Sequence, residues 1–398
     1  SNLLAAMNDL AALVESPTRR PLSERTTCKP FAFDDELPRR PIRFGTAFVL
    51  EDVLHEYEVA VRGLEVVEET LTAYPKKRPQ VWFRREEGKP TVGRALPSIL
   101  KEYARNVPDH QTFLGFAAAL EAPMLAGPAK WLARNLRTRR ELGDASNIID
   151  YFGLMTTHGL ASDERFKAWT EGLLRYADVG IVGVGAEEVT SGAKIKALGL
   201  APADQADSPG VSLTTNPMDV MESAVASRVE DVFLQQTGRR RMRPFFLHEN
   251  ASNEPRRFDL IDESHGTRRL FAMCGPFFEA FSNGEVMVID EFSASLHPLI
   301  VRELVRLFHD PRTNPNGAQL IFATHDTNLL SSRLFRRDQV WFTEKDRTGA
   351  TELYSLHDVK DVRPDEAIEK GYLRGRYGAI PFLGEFDFPV ATVRNDVE

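Results

Sequence analysis

The sequence predicts a mixed α/β fold: a mostly parallel sheet, an antiparallel β subdomain before it, and a helical insertion between the two. Three observations predict it. The apolar runs Val286–Ile289 and Leu320–Ala323 each end abruptly in polar residues. A helical pattern at Ile300, Leu304, Leu307 and Phe308 separates them, and strands alternating with helices build parallel sheets. Near the start, Phe44, Ala47 and Phe48 lead into Tyr57, Val59 and Val61, which alternate with polar or small residues as half-buried strands do.

The elements follow in order. Leu3, Leu4, Met7, Leu10 and Val14 recur at helical spacing, with Pro17 as a stop. After the β-rich stretch, Val81, Trp82 and Phe83 suggest a further strand. From about Leu96 to Ala177 the pattern is helical. Residues 186–216 are rich in Gly, Ala, Ser, Asp and Pro and read as a mobile loop. A strand at Pro244–Leu247 and a polar turn lead to Glu263–Thr267 (ESHGT). A helix then carries Leu270, Phe271, Cys274, Phe278 and Phe281 on one side. Strands near Val340–Phe342 and Leu353–Leu356 suggest an edge hairpin. Three regions result: residues 1–95, a mostly helical insertion 96–240, and a C-terminal lobe 241–398.

Composition narrows the classes. The 398 residues are 42% hydrophobic and 27% charged, ordinary for a globular protein. No stretch nears the roughly 18 to 20 apolar residues of a membrane span, and SNLLAAMNDL lacks the features of a signal peptide. Cys28 and Cys274 alone form no disulfide framework or zinc cluster. A cytoplasmic protein with no membrane partner fits best. A net charge of −8 argues against a surface coated for nucleic acid, although a local basic groove remains compatible with it.

The chemistry concentrates in the last third. In Val286–Phe292 (VMVIDEF) a buried strand ends in two acids, at the sheet edge where open α/β folds bind ligands. The pair fits a Walker B site: Asp290 for Mg²⁺, Glu291 to orient the attacking water. An acidic helix cap is the plainer alternative. Ser293–Pro298 (SASLHP) follows directly and resembles the D-loop of ABC ATPases, with Ser293 and Ser295 facing nucleotide and His297 where transporters usually carry Asp. The second strand ends in Thr324-His325-Asp326, which puts His325 at the switch position that reaches a γ-phosphate. Upstream, Ser264 and Gly266 match the Ser and second Gly of the LSGGQ signature at a helix start, where free N–H groups favour an anion. Ser264 would serve equally well as an ordinary cap. These motifs make sense of Ser1 and Asn2. They read as the end of a phosphate-binding loop whose glycines and lysine are expected upstream, with Ser1 as a Mg²⁺ ligand.

With those residues in view, the chain resembles the prokaryotic AAA/ABC-type ATPases of abortive-infection and restriction-linked loci. These are relatives of the overcoming-lysogenization-defect, RecF and structural-maintenance-of-chromosomes ATPases. The resemblance runs through SNLL, AYPKKRPQVWFRR, LLRYADVGI, FDLIDESHGTRRLF, VMVIDEFSASLHPLIVRELVRLF, AQLIFATHDTNLL and EKGYLRGRYGAIPFLGEF. It implies an ABC-type P-loop fold, ATP and Mg²⁺ as ligands, a head-to-tail homodimer, and a separately encoded effector. The stretch after His325 is too short for a Toprim nuclease and lacks its acids. The alternative is a nucleotide-gated DNA-binding scaffold. Two arginine clusters, Arg134, Arg137, Arg139 and Arg140, and Arg239, Arg240, Arg241 and Arg243, could contact phosphates or an acidic partner; solvated faces are the commoner outcome. Tyr372, Tyr377 and Phe382 read either as a partner dock or as core.

Overall fold

A computed structural model describes residues 2–15, 31, 40–136, 145–177, 179–189, 230–231, 233–235, 237–331, 333–360, 362 and 367–381. The chain divides into two units, Ser1–Asp326 and Thr327–Glu398.

In the first unit, β1 (Ile42–Leu50), β2 (Val53–Arg62), β3 (Glu65–Ala73), β4 (Gln80–Glu86) and β5 (Thr91–Val92) form one antiparallel sheet in sequence order. Alternation decides its faces. Tyr57, Val59, Leu71 and Phe83 point into the core, while Arg43, Glu56, Glu58 and Arg84 stay outside. The β1–β2 connection is a two-residue turn with Glu51 and Asp52 both at positive φ, 51° and 60°, the twist that suits a hairpin. Against the inner face pack α1 (Asn2–Val14), α2 (Ile99–Asn106), α3 (Phe113–Ala119) and α4 (Ala126–Asn135). Leu4, Leu10 and Val14 of α1 are buried as its spacing predicts, whereas Leu3 is exposed. Pro17 lies outside the described residues.

One buried carboxylate ties this layer together. Glu69 on β3 is 1% exposed. It accepts hydrogen bonds from Tyr57 Oη at 2.9 Å, Phe113 N at 2.6 Å and Leu114 N at 3.0 Å. The last two are free N–H groups at the start of α3. Thr112 caps α3 by accepting from Gly115 N, and its hydroxyl donates to Leu13 O of α1 at 2.9 Å. A Cβ on Gly115 would lie 2.6 Å from Val14 O, so the two helix ends meet there only through glycine.

The helical stretch continues with α5 (Ala145–Ser162) and α6 (Glu164–Tyr176). Next, β6 (Ile181–Glu188), β7 (Met242–Glu249) and β8 (Pro255–Asp259) make a three-stranded antiparallel sheet. This corrects the predicted loop start: Ala186, Glu187 and Glu188 are strand residues, paired with Pro244, Arg243 and Met242. Residues 190–216 of that loop lie outside the described residues. Helix α7 (His265–Asn283) then buries Leu270, Phe271, Cys274, Phe277 and Phe281.

Pro276 stands inside α7 and cannot donate to Ala272 O. Thr156 of α5 compensates. Its Oγ1 lies 3.4 Å from Ala272 O, to which it donates, and accepts from Gly275 N at 2.9 Å.

Strand β9 (Val286–Ile289), helix α8 (Pro298–His309) and strand β10 (Gln319–Phe322) complete the unit, with β9 and β10 parallel and Ile289 opposite Phe322. Among the described residues parallel pairing is confined to these two strands. The remaining strands pair antiparallel, several through short connections that parallel strands cannot use. The buried side of α8 is Val301, Leu304, Val305 and Phe308, one position round from the predicted stripe.

The second unit holds the hairpin of β11 (Trp341–Lys345) and β12 (Thr351–Ser355), a sheet of its own, and α9 (Ile368–Leu373). Tyr372 stacks on Phe342 at 5.4 Å, and Tyr377 is 3% exposed in the same cluster. Tyr377 is core, and the half-buried Tyr372 packs against that core. Phe382 lies outside the described residues.

Glu69 generates a prediction. Glu69→Ala strands three buried donors and destabilises the full-length protein by roughly 3 kcal/mol or more, measured by urea unfolding; Glu69→Gln costs about half as much. Burial pushes the Glu69 carboxyl above its usual range, against the hydrogen bonds from Leu114, Phe113 and Tyr57 that hold it down. A carboxyl raised on folding binds its proton more tightly in the native state. The wild type therefore gains stability from this group as pH falls through the raised value, and the Gln variant lacks that gain.

Candidate active site

The site begins with a buried strand. Met287, Val288 and Ile289 of β9 are at most 1% exposed, and the chain leaves them at Asp290, half-buried, and Glu291, exposed. The next residue, Phe292, is fully buried. Its ring lies 5.0 Å from that of Phe322 and 6.5 Å from that of Phe277. To turn one side chain in while its neighbours stay out, the backbone becomes left-handed twice, at Glu291 (φ 48°) and Ser295 (φ 59°). Ala294 N donates to Glu291 O at 3.0 Å, and Leu296 N to Ser293 O at 3.2 Å.

The tip of β10 holds this turn on one side. Phe292 N donates to Ala323 O at 3.0 Å, and the hydroxyls of Ser293 and Thr324 are 2.7 Å apart. Thr324 Oγ1 also accepts from Asp326 N at 2.9 Å, which shapes the loop where exposed His325 stands. Asp290, Glu291, Ser293 and His325 therefore share the carboxyl edge of the β9–β10 pair.

Helix α7 holds the other side. Ser264 is its N-cap: Ser264 Oγ accepts from Thr267 N at 3.1 Å and lies 2.8 Å from the Thr267 hydroxyl. Thr267, where the signature carries Gln, thus supports the cap. Glu263, buried just before it, is 2.7 Å from His248 Nε2 on β7. A Cβ on Gly266 would sit 2.7 Å from Ser295 O, so only glycine lets the start of α7 lie against the turn. Ser264, Gly266 and Ser295 are thereby brought to one place.

His297 has a local explanation. Its Nδ1 accepts from Leu299 N at 3.2 Å, capping α8 ahead of Pro298 at N1. An Asp there would cap equally well. Asn2 stands exposed at the start of α1, whose main packing is on α4 and α3. Ser1 lies outside the described residues.

Sequence reasoning missed Arg269. It is 3% exposed, and its Nη2 donates to Glu291 O at 2.7 Å. Burial lowers the pKa of the guanidinium below its ordinary value, while the neighbouring Glu291 raises it. The only signal was an arginine among the apolar residues of a helix.

The arginine clusters fare differently. Arg134 pairs with Glu285, Arg240 with Glu188, and Arg241 with Glu230 and Asp231, while Arg239 lies over the Phe233 ring. Arg134, Arg240 and Arg241 are thus ion-paired within the chain. Arg137, Arg139 and Arg140 lie outside the described residues. No helix among the described residues is long and apolar enough to cross a membrane.

Comparison with known proteins bears on this geometry. The family described as "AAA domain, putative AbiEii toxin, Type IV TA system" matches residues 200–331. That span contains Ser264, Gly266, Asp290, Glu291, Ser293, Ser295 and His325. No curated protein matches the chain. Among solved structures, the chain is similar to the SmcHead bound to the C-winged helix domain of ScpA. Identity is 10% and the TM-score 0.38, over 89% of this chain and 85% of that one. Residues 200–331, the stretch that holds the two acids and His325, are thus similar to an AAA domain.

Proposed function

We propose that this chain binds ATP with Mg²⁺ and hydrolyses it at the interface of a head-to-tail homodimer, as the switch of an anti-phage system with a separately encoded effector. One observation carries the reading. A single turn, Asp290–Leu296, presents two carboxylates at a sheet edge and is braced by the strand tip before His325 and by the start of α7. On the ABC-type P-loop reading, those are the parts that surround a γ-phosphate.

The donor chemistry fits the metal. The half-buried Asp290 carboxylate and the Ser1 hydroxyl are hard oxygen ligands of the kind Mg²⁺ takes. When bound, Mg²⁺ neutralises charge on the β- and γ-phosphates. Glu291 is exposed beside this position and orients the attacking water. His325 contacts the γ-phosphate. Ser264, Gly266 and the N–H groups opening α7 face the γ-phosphate of the partner copy, where the positive end of a helix favours anions. Ser293 and Ser295 line the same interface, and Asn2 follows Ser1 at the phosphates.

The defence reading draws on the family description, which names a toxin of a toxin–antitoxin system. The ion pairs of Arg240 and Arg241 within the chain support it over a DNA-binding scaffold.

In the full-length protein, Glu291→Gln binds ATP within about twofold of wild type and loses roughly 100-fold or more in turnover. His325→Ala slows turnover by about tenfold or more. Phosphate release and equilibrium ATP binding measure both effects, and wild-type turnover by Glu291→Gln would show that the acid is misassigned. In cells, the ATPase alone is harmless and unprotective, and phage resistance requires its genetic neighbour. Plating efficiency with each gene alone and with both together tests this. Full protection by the ATPase alone would place the effector within this chain.

A further inference from the structure

We propose that Arg269 is a positioning residue for Glu291, holding the water-orienting acid in register with the start of α7; this rests on the role of Glu291 given above. Three observations converge on it. First, Arg269 is almost wholly buried, yet its hydrogen bond goes to a backbone oxygen, Glu291 O, at 2.7 Å. Its Nε has no hydrogen-bond partner among the described residues. A buried guanidinium that leaves a donor unpaired is an expensive arrangement, and an apolar side chain would pack there more readily.

Second, the carbonyl it grips is the one that defines the turn. Glu291 O already accepts from Ala294 N at 3.0 Å, so Arg269 occupies its second lone pair. The peptide following Glu291 is pinned from two directions, at a residue whose φ of 48° is disfavoured for any L-amino acid. Losing the Arg269 bond would leave that peptide held by Ala294 N alone and loosen the turn that carries the Glu291 side chain.

Third, the grip has a partner on the same helix. Gly266 and Arg269 are three residues apart and lie on one face of α7. Gly266 abuts Ser295 O, and Arg269 binds Glu291 O. Two points of α7 thus hold two points of the turn, and both contacts are to backbone. The helix that begins with Ser264 cannot shift without taking Glu291 with it. Arg269 itself is buried against the turn. It acts through Glu291.

The experiment uses the full-length protein as wild type, Arg269→Met, Arg269→Lys, Glu291→Gln and the Arg269→Met/Glu291→Gln double variant. Steady-state ATPase kinetics, equilibrium ATP binding and thermal melting are measured for each. Misplacing a reacting group by about 1 Å costs on the order of 100-fold, so Arg269→Met lowers kcat by about 10- to 100-fold, with KM and ATP affinity within about twofold. Arg269→Lys recovers part of kcat. Residues acting as a unit are non-additive, so Arg269→Met in the Glu291→Gln background lowers turnover by less than about twofold.

Equal losses in both backgrounds overturn the proposal, as does an unchanged kcat in Arg269→Met while Glu291→Gln is slow. A variant that loses ATP binding in step with kcat also overturns it. Should Arg269→Met fail to fold, Arg269→Lys with and without Glu291→Gln supplies the same cycle. Wild-type turnover by Glu291→Gln is a separate outcome, which removes the role of Glu291 and this inference with it.

Discussion

The burial of the Phe292 ring is the interaction on which the candidate site depends. A phenylalanine taken fully out of water stabilises by roughly 1.5–3 kcal/mol, and this one is tilted against Phe322 with Phe277 behind it. A left-handed non-glycine residue costs roughly 1–2 kcal/mol, so one buried ring is enough to hold Glu291 in an unfavourable backbone state. Because Phe292 goes in, Glu291 before it and Ser293 after it are left facing outward. The ring also belongs to a larger group, since Phe277 contacts Phe308 at 5.4 Å and Phe281 lies 4.6 Å from Phe308. Helices α7 and α8, strand β10 and the turn after β9 therefore share one aromatic cluster beneath the acids.

On top of that cluster the polar contacts are sparse and directional. The hydroxyl pair Ser293–Thr324 and the Phe292 N–H to Ala323 O bond join the turn to β10. Arg269 and Gly266 join it to α7. His248, through Glu263, fixes the approach to Ser264. The two faces of the turn are consequently held by different elements. In the proposed cycle one face senses the phosphate held by its own copy, and the other senses the phosphate held by the partner copy.

Much of this was legible in the sequence because it rests on periodicity. The four-residue apolar runs of β9 and β10 stood out against acids and hydroxyls, and α1, α7 and the β11–β12 hairpin followed from spacing. Strand β3 was less visible: EVVEETLTA places Glu69 among inward-facing residues, and only the N–H groups of α3 explain a carboxylate there. Strand β8, PRRFD, reads as a polar turn because it is an edge strand with little to bury. Within the site, residue identity marked Asp290, Glu291 and His325. Arg269 escaped notice because its partner is a backbone oxygen, which has no sequence signature. His297 looked like a departure from pattern until its ring nitrogen proved to be doing the capping work of a carboxylate.

The proline in α7 bears on how separable the parts of this protein are. Thr156, which satisfies the backbone around Gly275 and Pro276, comes from α5 in the helical stretch that a sequence reading treats as an insertion. Excising that stretch would remove the side-chain donor that serves the Ala272 carbonyl in the middle of the helix that leads from Ser264. That helical stretch is therefore tied by hydrogen bonds to the backbone of α7. Chimeras that exchange it between related chains need to carry over the hydroxyl at position 156 or remove Pro276 along with it.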